Sequence, residues 1–241
     1  MNKFEELKNA QDALHEEIQR LAEEKGFVSE DVCPIYDGVG DIDAYLQSKL
    51  KIMWILKEPY DDFDDNNKPI GGGWTMYEGG LSHPDAWKQK SYQGMTYVLY
   101  GFRHDLYWAD LPAIRNNKSM ITELNNMAYI NISKMPGQKQ TSHQAVILYY
   151  NIWKDLLYKQ ITTYNPDVII FGGNFSIFEQ DLPNDQLEQM ERIGTDGVFC
   201  DIYKYKNRWL LSANHPARFS EVFVDGLIDS LKYVNDHMNM A

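Results

Sequence analysis

The chain has 241 residues, of which 44% are apolar and 24% charged, the balance of an ordinary globular protein. A chain of this length buries roughly 70–75% of the surface its unfolded form exposes, so its core needs no disulfide or metal staple. Only Cys33 and Cys200 occur, which excludes a disulfide framework and any four-cysteine metal or iron–sulfur site. The net charge is −12, and residues 1–65, with 17 acids and 7 bases, carry most of it. A nucleic-acid face is therefore expected only as a local patch on the later part of the chain, acting against the field of the whole molecule. The acidic surface is a possible face for a protein partner. The longest apolar runs are strand-sized, far below the ~20 residues that span a bilayer, so no membrane contact is expected. Met1-Asn-Lys-Phe-Glu-Glu6 leads into a charged helix rather than an apolar leader. The expected compartment is the cytoplasm.

Residues 3–25 read as an amphipathic helix, with Phe4, Leu7, Leu14, Ile18 and Leu21 on one stripe and Gln11 as its polar break. The expectation is an N-terminal helix, within residues 1–26, packed on a single α/β domain spanning 1–241. A short dimer seam is the other use of such a stripe. Gly26 ends it. A short helix is predicted over 41–50, with Asp41 as N-cap. Lys51-Ile-Met-Trp-Ile-Leu56 is a buried-type strand, and Pro59 turns the chain out of it. Residues 61–83, with four aspartates and Gly71-Gly-Gly73, read as a long loop without period, and such loops are commonly functional. Helical spacing returns at 84–102 and 118–126. A strand follows at 128–132, a long helix at 141–163, and a strand at 168–172 closed by two glycines. Two strands at 198–205 and 208–213 are joined by a Lys206-Asn207 turn. A last helix covers 219–238.

Buried strands alternating with helices predict a three-layer α/β/α fold with a central, mainly parallel sheet of about four strands: 51–56, 128–132, 168–172 and 208–213. In such sheets the ligand site lies beyond the carboxyl ends of the strands. That rule selects the polar segments 57–60, 131–136 and 214–218. Glu58 is placed to activate a water. Asn131 offers an amide whose donor and acceptor match the edge of an amide or a nucleobase. Lys134 puts a cation near that edge, His215 is placed to donate to developing negative charge, and Arg218 to reach a phosphate. No two histidines have metal spacing, so no metal is expected.

Together these segments resemble the uracil-DNA glycosylase superfamily. Leu56-Lys-Glu-Pro-Tyr60 stands where that family has a Gly-Gln-Asp-Pro-Tyr-type motif. Ile130-Asn131 matches the strand whose last residue reads the base. Asn131-Ile-Ser-Lys134-Met-Pro136 is similar to the Asn-Val-Val-Lys-Cys-Arg-Pro run of the iron–sulfur branch. Gln160-Ile161 and Pro166-Asp-Val-Ile-Ile-Phe-Gly172 match that branch's next strand, and His215-Pro216-Ala217 matches the second motif. The match spans about 51–218, with the motifs in the family's order. Leu56 replaces a Gly, Lys57 a Gln or Glu, and Asp61 a His, and the four cluster cysteines are absent.

The resemblance implies hydrolysis of the N-glycosidic bond of a flipped uracil or other modified base in DNA. It implies Glu58 as the residue orienting water and His215 as the stabiliser of the departing base. Asn131 would read the base, with Lys57 in contact. Tyr60 would shape the pocket, and Phe63 or Trp74 would stack on the ring. Lys134 and Arg218 would contact the DNA, and no cofactor would be needed. The alternative is a non-catalytic or retargeted member of the fold that binds a nucleotide, an altered nucleic acid or a protein, favoured by the acidic 61–65 segment. A third reading is hydrolysis of a small N-glycoside.

Overall fold

A computed structural model describes residues 2–57, 61–137, 141–195 and 197–239. Glu58 and Tyr60, both expected at the site, lie outside the described residues. The elements run α1 (Lys3–Glu24), β1 (Gly38–Val39), α2 (Ile42–Gln47), β2 (Ile52–Leu56), α3 (Lys90–His104), β3 (Met127–Asn131), α4 (His143–Tyr164), β4 (Val168–Gly172), α5 (Phe175–Glu179), β5 (Leu187–Thr195), β6 (Val198–Tyr205), β7 (Arg208–Ala213) and α6 (Glu221–Asn239).

The strands form one sheet in the order β1-β3-β2-β4-β7-β6-β5. Its centre, β3-β2-β4-β7, is parallel, while β1, β6 and β5 are antiparallel to their neighbours. The four expected strands are thus the parallel centre. The expectation of a mainly parallel sheet of about four is corrected to a mixed sheet of seven. Strand β5 has no alternating apolar face; its side chains are exposed or half-buried, and it pairs with β6 along its whole length.

The central strands are buried on both faces, so their side chains alternate between two cores. Trp54, Leu56, Met127, Tyr129, Ile170 and Leu211 face α3 and α6. Met53, Ile55, Ala128, Ile130, Ile169 and Phe171 face α1 and α4. This is the α/β/α layering. Leu7, Leu14, Ile18 and Ala22 of α1 are buried in the second core, and Gln11, the polar break in that stripe, accepts the Val39 N–H at 3.0 Å. The region 84–102 resolves into a short 3₁₀ turn, Ala86–Lys88, followed by α3, and residues 118–126 form 3₁₀ rather than α-helix. Among the described residues, no helix is long and apolar enough to cross a membrane.

The described part of the 61–83 loop is held by its own aspartates. Asp64 Oδ1 accepts the N–H groups of Asn66 and Lys68, and Asp61 Oδ2 accepts the Gly72 N–H and the Trp74 indole N–H, each at 2.9 Å. The acids thus serve as local acceptors for turn backbone. Gly72, at φ +87°, passes so close to Cys33 that a Cβ would stand 1.9 Å from the Cys33 carbonyl oxygen. Only glycine fits there.

Candidate functional site

The parallel register levels the strand ends. Leu56 pairs with Asn131, and Gly172 with Ala213. Beyond this row opens a cleft of about 1360 Å³. Its floor comes from strand ends: Lys57 after β2, Tyr129 of β3, Gly173 after β4 and His215 after β7. Lys90 and Tyr92, from the start of α3, form one wall, and Asp61 and Trp74 from the long loop form another. The carboxyl-end rule for open α/β sheets therefore locates this cleft.

His215 begins a 3₁₀ turn, Pro216–Arg218, and its ring Nδ1 accepts the Ala217 N–H at 3.2 Å. Burial, joined by the Lys57 and Arg218 cations, lowers the His215 pKa to about 4. At neutral pH the ring is uncharged. With Nδ1 accepting, the proton resides on Nε2, so the ring offers one N–H donor. The turn is clamped from behind by α3: a Cβ on Gly94 would stand 2.2 Å from the Pro216 carbonyl oxygen.

Asn131 is fully buried at the end of β3. Its backbone N–H donates to Asp37 Oδ2 at 2.8 Å, and its Oδ1 accepts the Tyr129 hydroxyl at 3.0 Å. Its Nδ2 has no partner. A buried donor left unsatisfied costs about 1–3 kcal/mol, so this NH₂ is a standing demand for an acceptor. Tyr129 lines the cleft, and the ring of Tyr92 meets it edge-on at 6.3 Å.

Lys134 is corrected outright as a surface cation for phosphate. It is 0% exposed, and its Nζ donates to Asp37 Oδ2 at 2.7 Å. Asp37, itself fully buried, also accepts from Gln160 Nε2 at 2.8 Å, and its carbonyl accepts the Met76 N–H. Burial pushes the Asp37 carboxyl up and the Lys134 ammonium down, and each partner opposes the other's shift. Asp37 thus ties the end of β3 to the loop that carries Trp74.

Of the residues expected at the site, Lys57, Trp74, His215 and Arg218 share the cleft. Asn131 stands behind it, bonded to Tyr129. Phe63 is half-buried, bridges Pro69 in its own turn, and is not among the described residues lining the cleft. Tyr92, Tyr129 and Asp37 were missed, and Asp61 was noted only as the residue standing where the family has a His. Tyr129 had a signal, since two residues before Asn131 on a strand means the same face. Tyr92 and Asp37 had none, because Tyr92 reaches the cleft, and Asp37 the end of β3 behind it, only through tertiary packing. Among the described residues, no group of three or more His, Cys, Asp or Glu stands close enough to hold a metal ion.

No family model matches the sequence, and no curated protein matches it. The solved structures similar to this chain include two of UNG from Nitratifractor salsuginis. The wild type is 13% identical, covers 98% of each chain and has a TM-score of 0.42. A point mutant is also 13% identical, covers 96% of each chain and has a TM-score of 0.44.

Proposed function

We propose that the cleft binds a nucleobase or nucleotide and that the chain hydrolyses its N-glycosidic bond. The observation that carries this reading is the buried Asn131 amide with an unpartnered NH₂ beside the cleft wall. Burying a polar edge without a partner is costly unless a ligand supplies one. The neutral His215 ring is the second support. Breaking the glycosidic bond leaves negative charge on the base, and a fixed, neutral N–H donor stabilises that charge by hydrogen bonding without giving up its proton. Tyr92, Tyr129 and Trp74 supply aromatic surface for a ring. Lys57 and Arg218 bring positive charge to the cleft for a phosphate or the departing base. Glu58 enters through the motif resemblance alone, as the residue that orients water. The reaction as written needs no cofactor.

A second reading, a retargeted binder of a nucleotide, altered nucleic acid or protein, or a hydrolase of a small N-glycoside, is favoured by Asp61 and Asp62 on the cleft wall. Acids beside the cleft oppose a continuous phosphate track.

The test is single-turnover cleavage of single- and double-stranded oligonucleotides carrying uracil or other modified bases, alongside the free nucleosides. His215→Ala is expected to lower the cleavage rate ~10²–10³-fold and Glu58→Gln ~10²–10⁴-fold, with smaller effects on binding. Cleavage of nucleosides but not oligonucleotides supports the small-glycoside reading, and binding without cleavage supports the retargeted binder. A cleavage rate unchanged by His215→Ala refutes the proposed chemistry.

A further inference from the structure

We propose that Asp61 is a positioning residue for Trp74: its carboxyl holds the indole N–H, so that the aromatic wall of the cleft is set before a ring arrives. The ligand then meets a fixed face and bears no cost of ordering it. The inference rests on the nucleobase reading above and adds to it a residue and a source of affinity. Asp61 is one of the positions at which the chain departs from the motif it resembles.

Asp61 and Trp74 both line the cleft, and both are half-buried. Asp61 Oδ2 accepts the Trp74 indole N–H at 2.9 Å, and the same oxygen accepts the Gly72 N–H at 2.9 Å. The Trp74 backbone is fixed separately. Its carbonyl accepts the Tyr36 N–H at 3.0 Å, and the Gly73 N–H before it donates to the Pro34 carbonyl at 2.9 Å. Gly79 packs against the base of the side chain so closely that a Cβ there would stand 2.7 Å from Trp74 Cβ. With backbone and Cβ held, only the two side-chain torsions remain to be set. An N–H···O bond is directional, so the Asp61 oxygen sets them.

With its N–H engaged, Trp74 offers a ligand aromatic surface and no donor. Such surface serves any flat ring, because stacking does not read a polar edge. Asp61 Oδ2, already holding two donors, is committed to the wall. Without it the indole would sample several rotamers, and immobilising one such side chain on binding lowers affinity by a factor of up to about ten.

The test is a double-variant cycle in the full chain, with Asp61→Ala, Trp74→Phe and the pair, and with uracil and cytosine as binding probes. Phe keeps an aromatic face and has no N–H to hold. Asp61→Ala is expected to weaken both bases about tenfold when Trp74 is present, and about twofold at most in the Trp74→Phe background. Asp61→Asn is expected to restore most of the affinity, because its amide oxygen also accepts. Trp74 emission, taken as the difference from Trp74→Phe, is expected to shift in Asp61→Ala and to stay near wild type in Asp61→Asn. Equal losses in both backgrounds mean that Asp61 acts only by holding the loop at Gly72, which overturns this proposal. Unchanged emission in Asp61→Ala, or an Asn variant no better than Ala, overturns it too. Unchanged binding by Asp61→Ala, when the wild-type chain binds the bases, overturns this role alone. A wild-type chain that binds neither base overturns the nucleobase reading and this role with it.

Discussion

Replacing Lys134 by Met would remove the ammonium and keep most of the volume of a side chain that is fully buried. The Asp37 carboxylate, also fully buried, would keep only the Asn131 N–H and the Gln160 NH₂. Breaking one side of a buried ion pair costs about 3–5 kcal/mol, and the two surviving donors place this case near 3. For a chain of this size that lowers Tm by roughly 6–12 °C. The orphaned carboxyl would hold its proton above the ordinary carboxylate range. A folded-state pKa raised above the unfolded one contributes stability at low pH that is lost as pH rises, so the deficit should be larger at pH 8 than at pH 5. The double variant Asp37→Asn with Lys134→Met should recover about 2 kcal/mol of the loss. An amide at position 37 can still accept the Asn131 N–H. Its own NH₂ can donate to Gln160 Oε1, which has no partner in the wild-type chain, once the Gln160 amide turns over. Asn also tolerates the φ of +47° found there. Urea unfolding at the two pH values measures all three chains. A loss below 1 kcal/mol for the single variant, or a double variant no better than the single, refutes the reasoning.

Two further outcomes follow from the packing. Burial lowers the pKa of both His15 and His215 to about 4, below the unfolded value near 6.5. The unfolded chain therefore binds protons first on acidification, and stability should fall between pH 6.5 and 4, by up to about 3 kcal/mol per histidine. His15→Gln and His215→Gln should each flatten that slope in denaturant titrations, and an unchanged slope would count against the burial argument. Gly94→Ala should destabilise by about 1–3 kcal/mol despite alanine's better helix propensity, because the new methyl meets the Pro216 carbonyl oxygen. It should also displace His215 and slow any cleavage, and a thermal melt at or above the wild-type Tm would contradict this.

What could be read along the chain was whatever local periodicity and turn chemistry encode. The four parallel strands are short apolar runs closed by Pro or Gly, and their alternation with helices reveals the layering. The hairpin of β6 and β7 was legible through Lys206-Asn207, where Lys206 takes φ +55°. The level row of strand ends was legible too, because parallel strands must finish on the same side, and so Lys57 and His215 could be assigned to one place. Asn131 could be put at a strand end, although its partners could not.

Tertiary structure decided the rest, for one physical reason: the deciding partner lies far away in sequence. Strand β5 exists because β6 pairs with it, since its own residues show neither an apolar face nor strong strand propensity. Lys134 looks like a surface cation in the sequence because nothing nearby announces Asp37, 97 residues earlier, which makes its burial affordable. The 61–65 acids read in the sequence only as a run of charge, yet Asp61 and Asp64 also hold the N–H groups of their own loop. The amide of Asn131 acquires a direction only from the Tyr129 hydroxyl. Sequence patterns carry the segments whose energies are local; contacts that neutralise a buried charge or orient a buried amide are made only when those segments meet.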